Sequence, residues 1–246
     1  MFTPEERSRI RDSLVAAARA DLRITGAALT GSAALEAEDR WSDIDFALGV
    51  ASGADLTQVV GDWTGRMYRE WRAVHHVDVY RGNTLFRVFL LADTLQVDIA
   101  FWPTAEFGPI GPSFRLLFGT SGQPTLLPPP SAVQFIGMAW LYALHVRSSI
   151  ARGRLWQAEY MVSGMRNQVL ALVCLRHGLP TAEGRGIDRL PAELSAALAG
   201  GFVRSLDGAE LRRAFGVVSD ALIAEIGRAD AGLADRLSAP LKELTA

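Results

Sequence analysis

Leu29-Thr30-Gly31-Ser32, followed after a polar stretch by Trp41-Ser42-Asp43-Ile44-Asp45-Phe46, decides how this chain is read. On a β-strand, residues two apart share a face. Asp43 and Asp45 are expected to project together, with Ile44 and Phe46 turned into a core. Aspartate is disfavoured in strands, and two adjacent carboxylates repel each other unless something positive sits between them. A hard divalent cation with oxygen ligands, often shared with phosphates, is the usual remedy. Leu95-Gln96-Val97-Asp98-Ile99-Ala100-Phe101 is a second strand-like run carrying one acid among apolar residues. At Gly31 the missing side chain lets backbone approach a phosphate, and a helix opening at Ser32 would offer free N–H groups and a positive dipole end.

The surrounding sequence supplies the scaffold. Thr3-Pro4-Glu5-Glu6 reads as a helix start, and Ile10, Leu14, Ala17 and Ala18 continue an apolar stripe to about residue 20. Ile24 to Thr30 is a strand candidate. Ala33 to Glu36 looks like one helical turn, and Asp43 to Val50 is a strand. Asp55 to about Trp71 has helical spacing. Val74 to Tyr80 and Leu85 to Leu91 read as strands joined by a hairpin turn at Arg81-Gly82-Asn83. Thr94 to Trp102 is a further strand, stopped by Pro103. This order predicts an α+β or α/β unit, a mixed sheet with helices on one side. Residues 103–130 read as irregular, ending in the connector Pro128-Pro129-Pro130. Beyond them the pattern is all helical, at about 131–151, 154–177, 188–199, 208–227 and 230–244. The expected domains are 1–125 and a helical bundle over 126–246.

Composition narrows the classes. Hydrophobic residues at 49% and charged residues at 21% suit a globular protein with a sizeable core. A net charge of -2 gives no basic field for nucleic acid or an anionic membrane. The single cysteine, Cys174, excludes an internal disulfide and a cysteine-based zinc site, and its apolar neighbours mark it as a buried small residue. The charged N-terminus lacks a signal-peptide pattern, and no apolar run is long enough to span a bilayer. A cytoplasmic location is the default expectation. A homodimer stays open.

Gly31-Ser32, then Asp43-Ile44-Asp45, then Asp98 on a later strand resembles the nucleotidyltransferase superfamily with the polymerase-β-like fold. Within it, the chain resembles bacterial antibiotic nucleotidyltransferases of the aminoglycoside and lincosamide type, in which a minimal transferase domain precedes a helical domain. The match covers about residues 28–102. It implies transfer of a nucleoside monophosphate, with AMP from ATP expected, to an acceptor hydroxyl, with pyrophosphate leaving. Asp43 and Asp45 would bind Mg²⁺ carrying the triphosphate. Asp98 would help bind a second ion or help deprotonate the acceptor. Gly31 and Ser32 would hold the β and γ phosphates, and the helical domain would bind a small-molecule acceptor. Two alternatives stand beside this: a protein or RNA acceptor, as in toxin–antitoxin nucleotidyltransferases, and a nucleotide-binding protein of the same fold without turnover. Retention of three mutually repelling acids argues against the last.

Other residues carry two readings each. Glu159, early in a long helix, is either a general base on the acceptor or a surface glutamate balancing Arg152, Arg154 or Arg166. Asp78 is an acid at the site edge or on a solvated strand face. His75 and His76 point to opposite faces, which argues against joint metal binding. Arg147, Arg152, Arg154 and Arg166 bring charge to a phosphate or form a solvated, balanced helix face. Trp140, Trp156 and Tyr160 stack on a ligand ring or, more commonly at helical spacing, pack in a core or between domains. Trp41 caps the sheet or forms a lip of the site.

Overall fold

The structure is a computed structural model describing every residue except Leu126, Leu127 and Pro129. The chain divides into two compact units, Met1–Pro128 and Pro129–Ala246. Leu126, on one side of the domain boundary read at 125/126, and the middle residue of the triple-proline connector lie outside the described set.

The first unit opens with α1 (Pro4–Ala20), held at its start by a reciprocal cap. The Thr3 hydroxyl accepts from the Glu6 amide at 3.2 Å, and the Thr3 amide donates to the Glu6 carboxylate at 2.8 Å. There follow β1 (Ile24–Thr30), α2 (Gly31–Ala34), β2 (Ile44–Val50), α3 (Leu56–Glu70), β3 (Ala73–Arg81), β4 (Thr84–Leu91), β5 (Gln96–Pro103) and β6 (Phe114–Gly119). The sheet runs β3-β4-β5-β2-β1-β6. Only the central β2–β5 pair is parallel. Strand β6 corrects the sequence reading, which left 103–130 irregular. Its six residues lie amid Gly and Pro and pair with β1 across a register shift, so no clean alternation marks them.

One face of this sheet is covered by α1 and α3. Leu14, Val59, Trp63 and Met67 pack with Phe46, Leu48, Phe89, Ile99 and Phe101 into a dry core. Removing any one of those phenyl rings would cost about 3–5 kcal/mol. The opposite face is built of small residues at one end. Ala28, Ala47 and Ala100 surround the fully buried Phe107. A Cβ at Gly26 would sit 2.9 Å from that ring, and one at Gly49 would sit 3.0 Å from it. Phe107 therefore covers this end of the open face, and the other end carries Asp45 and Asp98.

The second unit is helical: α4 (Ala132–Ala151), α5 (Leu155–Arg176), α6 (Ala192–Ala199), α7 (Gly208–Ala229) and α8 (Ala231–Thr245). Its core joins Ile136, Ala143, Val146, Val162, Met165, Phe215, Val218 and Leu222. The single helix expected over 188–199 is instead a 3₁₀ turn, Ile187–Arg189, followed by α6 with Pro191 at its N-cap. Proline lacks the N–H that would continue a helix through it. Fold class stands as expected: a mixed sheet with helices on one face, followed by a helical region. No helix of the described residues is long and apolar enough to cross a membrane.

Candidate active site

Parallel pairing sets the geometry. In the β2–β5 ladder Asp45 lies opposite Asp98, between Ile44↔Val97 and Phe46↔Ile99. Paired residues of neighbouring strands share a face, so both acids stand on the face away from α1 and α3. Asp43 immediately precedes β2 and, two residues before Asp45, joins them. An oxygen from each of Asp43, Asp45 and Asp98 can be chosen so that all three lie within 4.8 Å of one another. All three side chains are half-buried. Hard carboxylate oxygens at this spacing are a fitting donor set for a divalent cation such as Mg²⁺.

Gly31 completes the arrangement. Its φ is +59°, in the left-handed region that favours glycine. A Cβ there would overlap the Asp45 carboxylate, with its carbon only 2.8 Å away. The turn after β1 therefore presses its backbone onto Asp45, and only glycine permits it. Ser32 follows, half-buried. The helix it was expected to open begins at Gly31 and lasts four residues. Such a turn accumulates little macrodipole, so what it presents is chiefly backbone N–H groups.

The electrostatics are strained in one sense. Burial, reinforced by the negative charge of Asp43, pushes the Asp98 carboxyl up to about 6, against an opposing hydrogen bond from Gln96. The Gln96 amide nitrogen donates to Asp98 at 3.0 Å and reaches Asp43 at 3.3 Å. An amide NH₂ thus sits between two carboxylates, where a cation would be expected. Sequence reading passed over Gln96 because it looked for charge.

It also passed over the device that holds Asp43. Arg7 of α1 is buried, 4% exposed. Its guanidinium donates to the carbonyls of Asp39 and Ser42, at 2.5 and 3.0 Å. Glu38 pairs with Arg7 at 3.2 Å and with Arg11 at 2.6 Å. The Asp39 carboxylate accepts from the Trp41 amide at 2.8 Å and from the Ser42 hydroxyl at 3.1 Å. Helix α1 therefore clamps the loop that delivers Asp43. A run of N-terminal charges gave the only hint, and such runs are usually solvated.

The other sequence candidates fall elsewhere. Asp78 lies on the helix-covered face, gripped by both Nε and Nη2 of Arg87 at 2.6 Å, which holds its carboxyl below the usual range. His76 meets the Tyr68 hydroxyl at 2.9 Å and packs beside Phe89, while His75 is exposed. Glu159 is in α5 of the second unit, where it accepts from Ser163 at 2.6 Å. Arg147, Arg152 and Arg154 are exposed. Arg166 is half-buried over the Phe202 ring at 4.4 Å, and burial lowers its pKa. The core-packing reading of Trp140, Trp156 and Tyr160 is overturned: they are 39%, 77% and 67% exposed. The helix interior is filled by smaller side chains. Trp41 is exposed with the Arg40 guanidinium 4.4 Å from its ring. Cys174 is buried, and desolvation raises its thiol pKa.

No protein-family model matches the chain, and no curated protein does. Among solved structures, an aminoglycoside 6-adenyltransferase from Bacillus subtilis is a distant fold-level neighbour. It is 12% identical with a TM-score of 0.41, and the alignment covers 99% of each chain. A likeness this distant says nothing of the reaction.

Proposed function

We propose that this chain is a nucleotidyltransferase. It moves a nucleoside monophosphate, AMP being the expected group, from a nucleoside triphosphate to a hydroxyl of a small molecule. An antibiotic is one such acceptor, as the sequence resemblance implies. The observation that carries this reading is the pairing of Asp45 with Asp98, with Asp43 beside them and glycine backbone pressed onto the Asp45 carboxylate.

In the transfer a bond forms between the acceptor oxygen and the α-phosphorus. The bond from that phosphorus to the bridging oxygen breaks, and pyrophosphate departs with the electron pair. Asp43 and Asp45 would hold Mg²⁺, and Asp98 would contribute to the same centre. Bound there, the metal supplies charge neutralisation and orients the triphosphate. The residues do the rest. Gly31 and Ser32 hold the terminal phosphates through backbone N–H groups and the serine hydroxyl. Asp98 is the acceptor proposed for the hydroxyl proton. Glu159 is proposed as a second base candidate from the helical unit, in which the acceptor would bind.

The test incubates the protein with Mg²⁺ and each nucleoside triphosphate against aminoglycosides, lincosamides and candidate proteins. Mass spectrometry then looks for a nucleoside-monophosphate adduct. Adduct formation that disappears in Asp43→Asn is the expected result. An Asp43→Asn variant that turns over normally removes the metal-site assignment.

A further inference from the structure

Strand β3 ends the sheet, and among the described residues no strand pairs with its outer edge. It is nine residues long and carries no proline or lysine. Those are among the devices that keep exposed edges from pairing; another, a register shift, lies at the start of β3 between Ala73 and His75 and leaves His75–Arg81 regular. Val74, Val77, Val79 and Tyr80 are 56%, 56%, 44% and 68% exposed.

The sequence of this edge is complementary to itself. Take Ala73-Val74-His75-His76-Val77-Asp78-Val79-Tyr80-Arg81 and run a second copy antiparallel, with a two-fold axis through Val77. Over the regular stretch from His75, Val77 then meets Val77, His76 meets Asp78 and His75 meets Val79; the irregularity between Ala73 and His75 ends the matched ladder there. Every carboxylate faces an imidazole, and β-branched or aromatic side chains face each other, the pairs that stabilise antiparallel ladders. Adjacent registers that keep the same faces together are worse. An axis on His76 sets imidazole against imidazole, and one on Asp78 sets carboxylate against carboxylate. The Tyr68 hydroxyl engages Nδ1 of His76, which leaves the other ring nitrogen for the facing carboxylate.

We propose that β3 pairs antiparallel with β3 of a second copy about a two-fold axis at Val77, joining two six-stranded sheets into one. The pairing is isologous, as closed dimers require. It is main-chain recognition of the kind sheet edges offer, with side chains setting the register. Strand pairing alone buries less than a standard stable interface, so the dimer is expected to form reversibly with concentration. This interface is independent of the reaction proposed above.

The experiment has two arms on the full chain. Light scattering across a concentration series reads the mass of the wild type and of Val77→Lys. Mild oxidation compares Val77→Cys with Leu22→Cys, a control position 98% exposed on another surface; the native Cys174 is 1% exposed and does not compete. Antiparallel partners lie within reach of a disulfide. The expected result is a wild-type mass that rises toward two chains, a Val77→Lys variant that stays at one, and rapid cross-linking of Val77→Cys only. A wild type that remains a single chain overturns the proposal. So does a dimer that survives Val77→Lys, or a Val77→Cys that links no faster than the control. Circular dichroism checks that the lysine variant folds; if it does not, the wild-type mass and the cysteine arm decide.

Discussion

Asp78 and Asp98 stand on either side of β4, on opposite faces of one sheet, and they have opposite electrostatic fates. On the face covered by α1 and α3, Asp78 meets the fork of Arg87 and its carboxyl is held low. Asp21 is likewise paired with Arg23 and accepts from the Trp63 indole at 3.2 Å. On the open face Asp98 meets another acid and an amide, and its carboxyl is raised. A folding constraint alone would treat the two faces alike, since a half-buried carboxylate next to another is destabilising wherever it lies. The contrast separates acids paired within the fold from acids whose proposed partner is a cation.

The largest effect that sharpens this contrast is expected at the open face. Asp45→Asn should lower adduct formation by about a thousandfold, the several kcal/mol that metal-held charge contributes to a transition state, while leaving the circular dichroism spectrum unchanged. Gly31→Ala should lower it by about a hundredfold, because its Cβ displaces the Asp45 carboxylate and its φ becomes strained. Steady-state rates read both. On the covered face, Arg87→Ala should destabilise the protein by about 2 kcal/mol, since it leaves the Asp78 carboxylate without its partner. The urea midpoint reads this, and Mg²⁺ should shift that midpoint by the same amount in the variant and the wild type. If Arg87→Ala abolished the Mg²⁺ response, the separation of the two faces would fail.

The smallest effect has the opposite sign. The Asp98 carboxyl stands at about 6 in the folded chain, above the value near 4 of an unfolded aspartate. Between those values the folded state keeps a proton that the unfolded chain has lost. Stability therefore falls as pH rises through about 6 and stays lower above it. Asp98→Asn should abolish that slope and gain about 1–2 kcal/mol at pH 7, less than the full shift converts to because the group is partly solvated. Denaturation at pH 4.5 and pH 7 distinguishes the two proteins. A wild type equally stable at both, with no slope removed in the variant, would contradict the strained-acid reading.

How far the sequence could be read follows the range of the interactions involved. Strands β1, β2 and β5 and the helices α1, α3, α4, α5, α7 and α8 carry strong local patterns, and their bounds differ from expectation by a residue or two. The acids and Gly31 were legible because aspartate in an apolar strand and glycine at a strand end are locally conspicuous. Strand β6 was not, because its pairing with β1 is long-range and its ends are Gly-rich. Arg7 was not, because what makes it structural is a carbonyl of Ser42, 35 positions away. Gln96 carries no charge and sits at an ordinary strand start. Trp140, Trp156 and Tyr160 have helical spacing, which says that residues share a helix side but not whether that side is covered.

The parallel β2–β5 pairing has a consequence in time as well as in space. A parallel neighbour cannot be reached by a tight turn, and here α3 and the β3–β4 hairpin intervene. Asp43 and the Gln96 amide that bridges it to Asp98 lie 53 positions apart. Closing that span costs chain entropy before any contact returns it, so such pairings form late. A chain emerging from synthesis or recovering from denaturant is therefore expected to gather the proposed cation only after β2 and β5 have paired. Appearance of Mg²⁺ binding during refolding would then serve as a clock for that pairing.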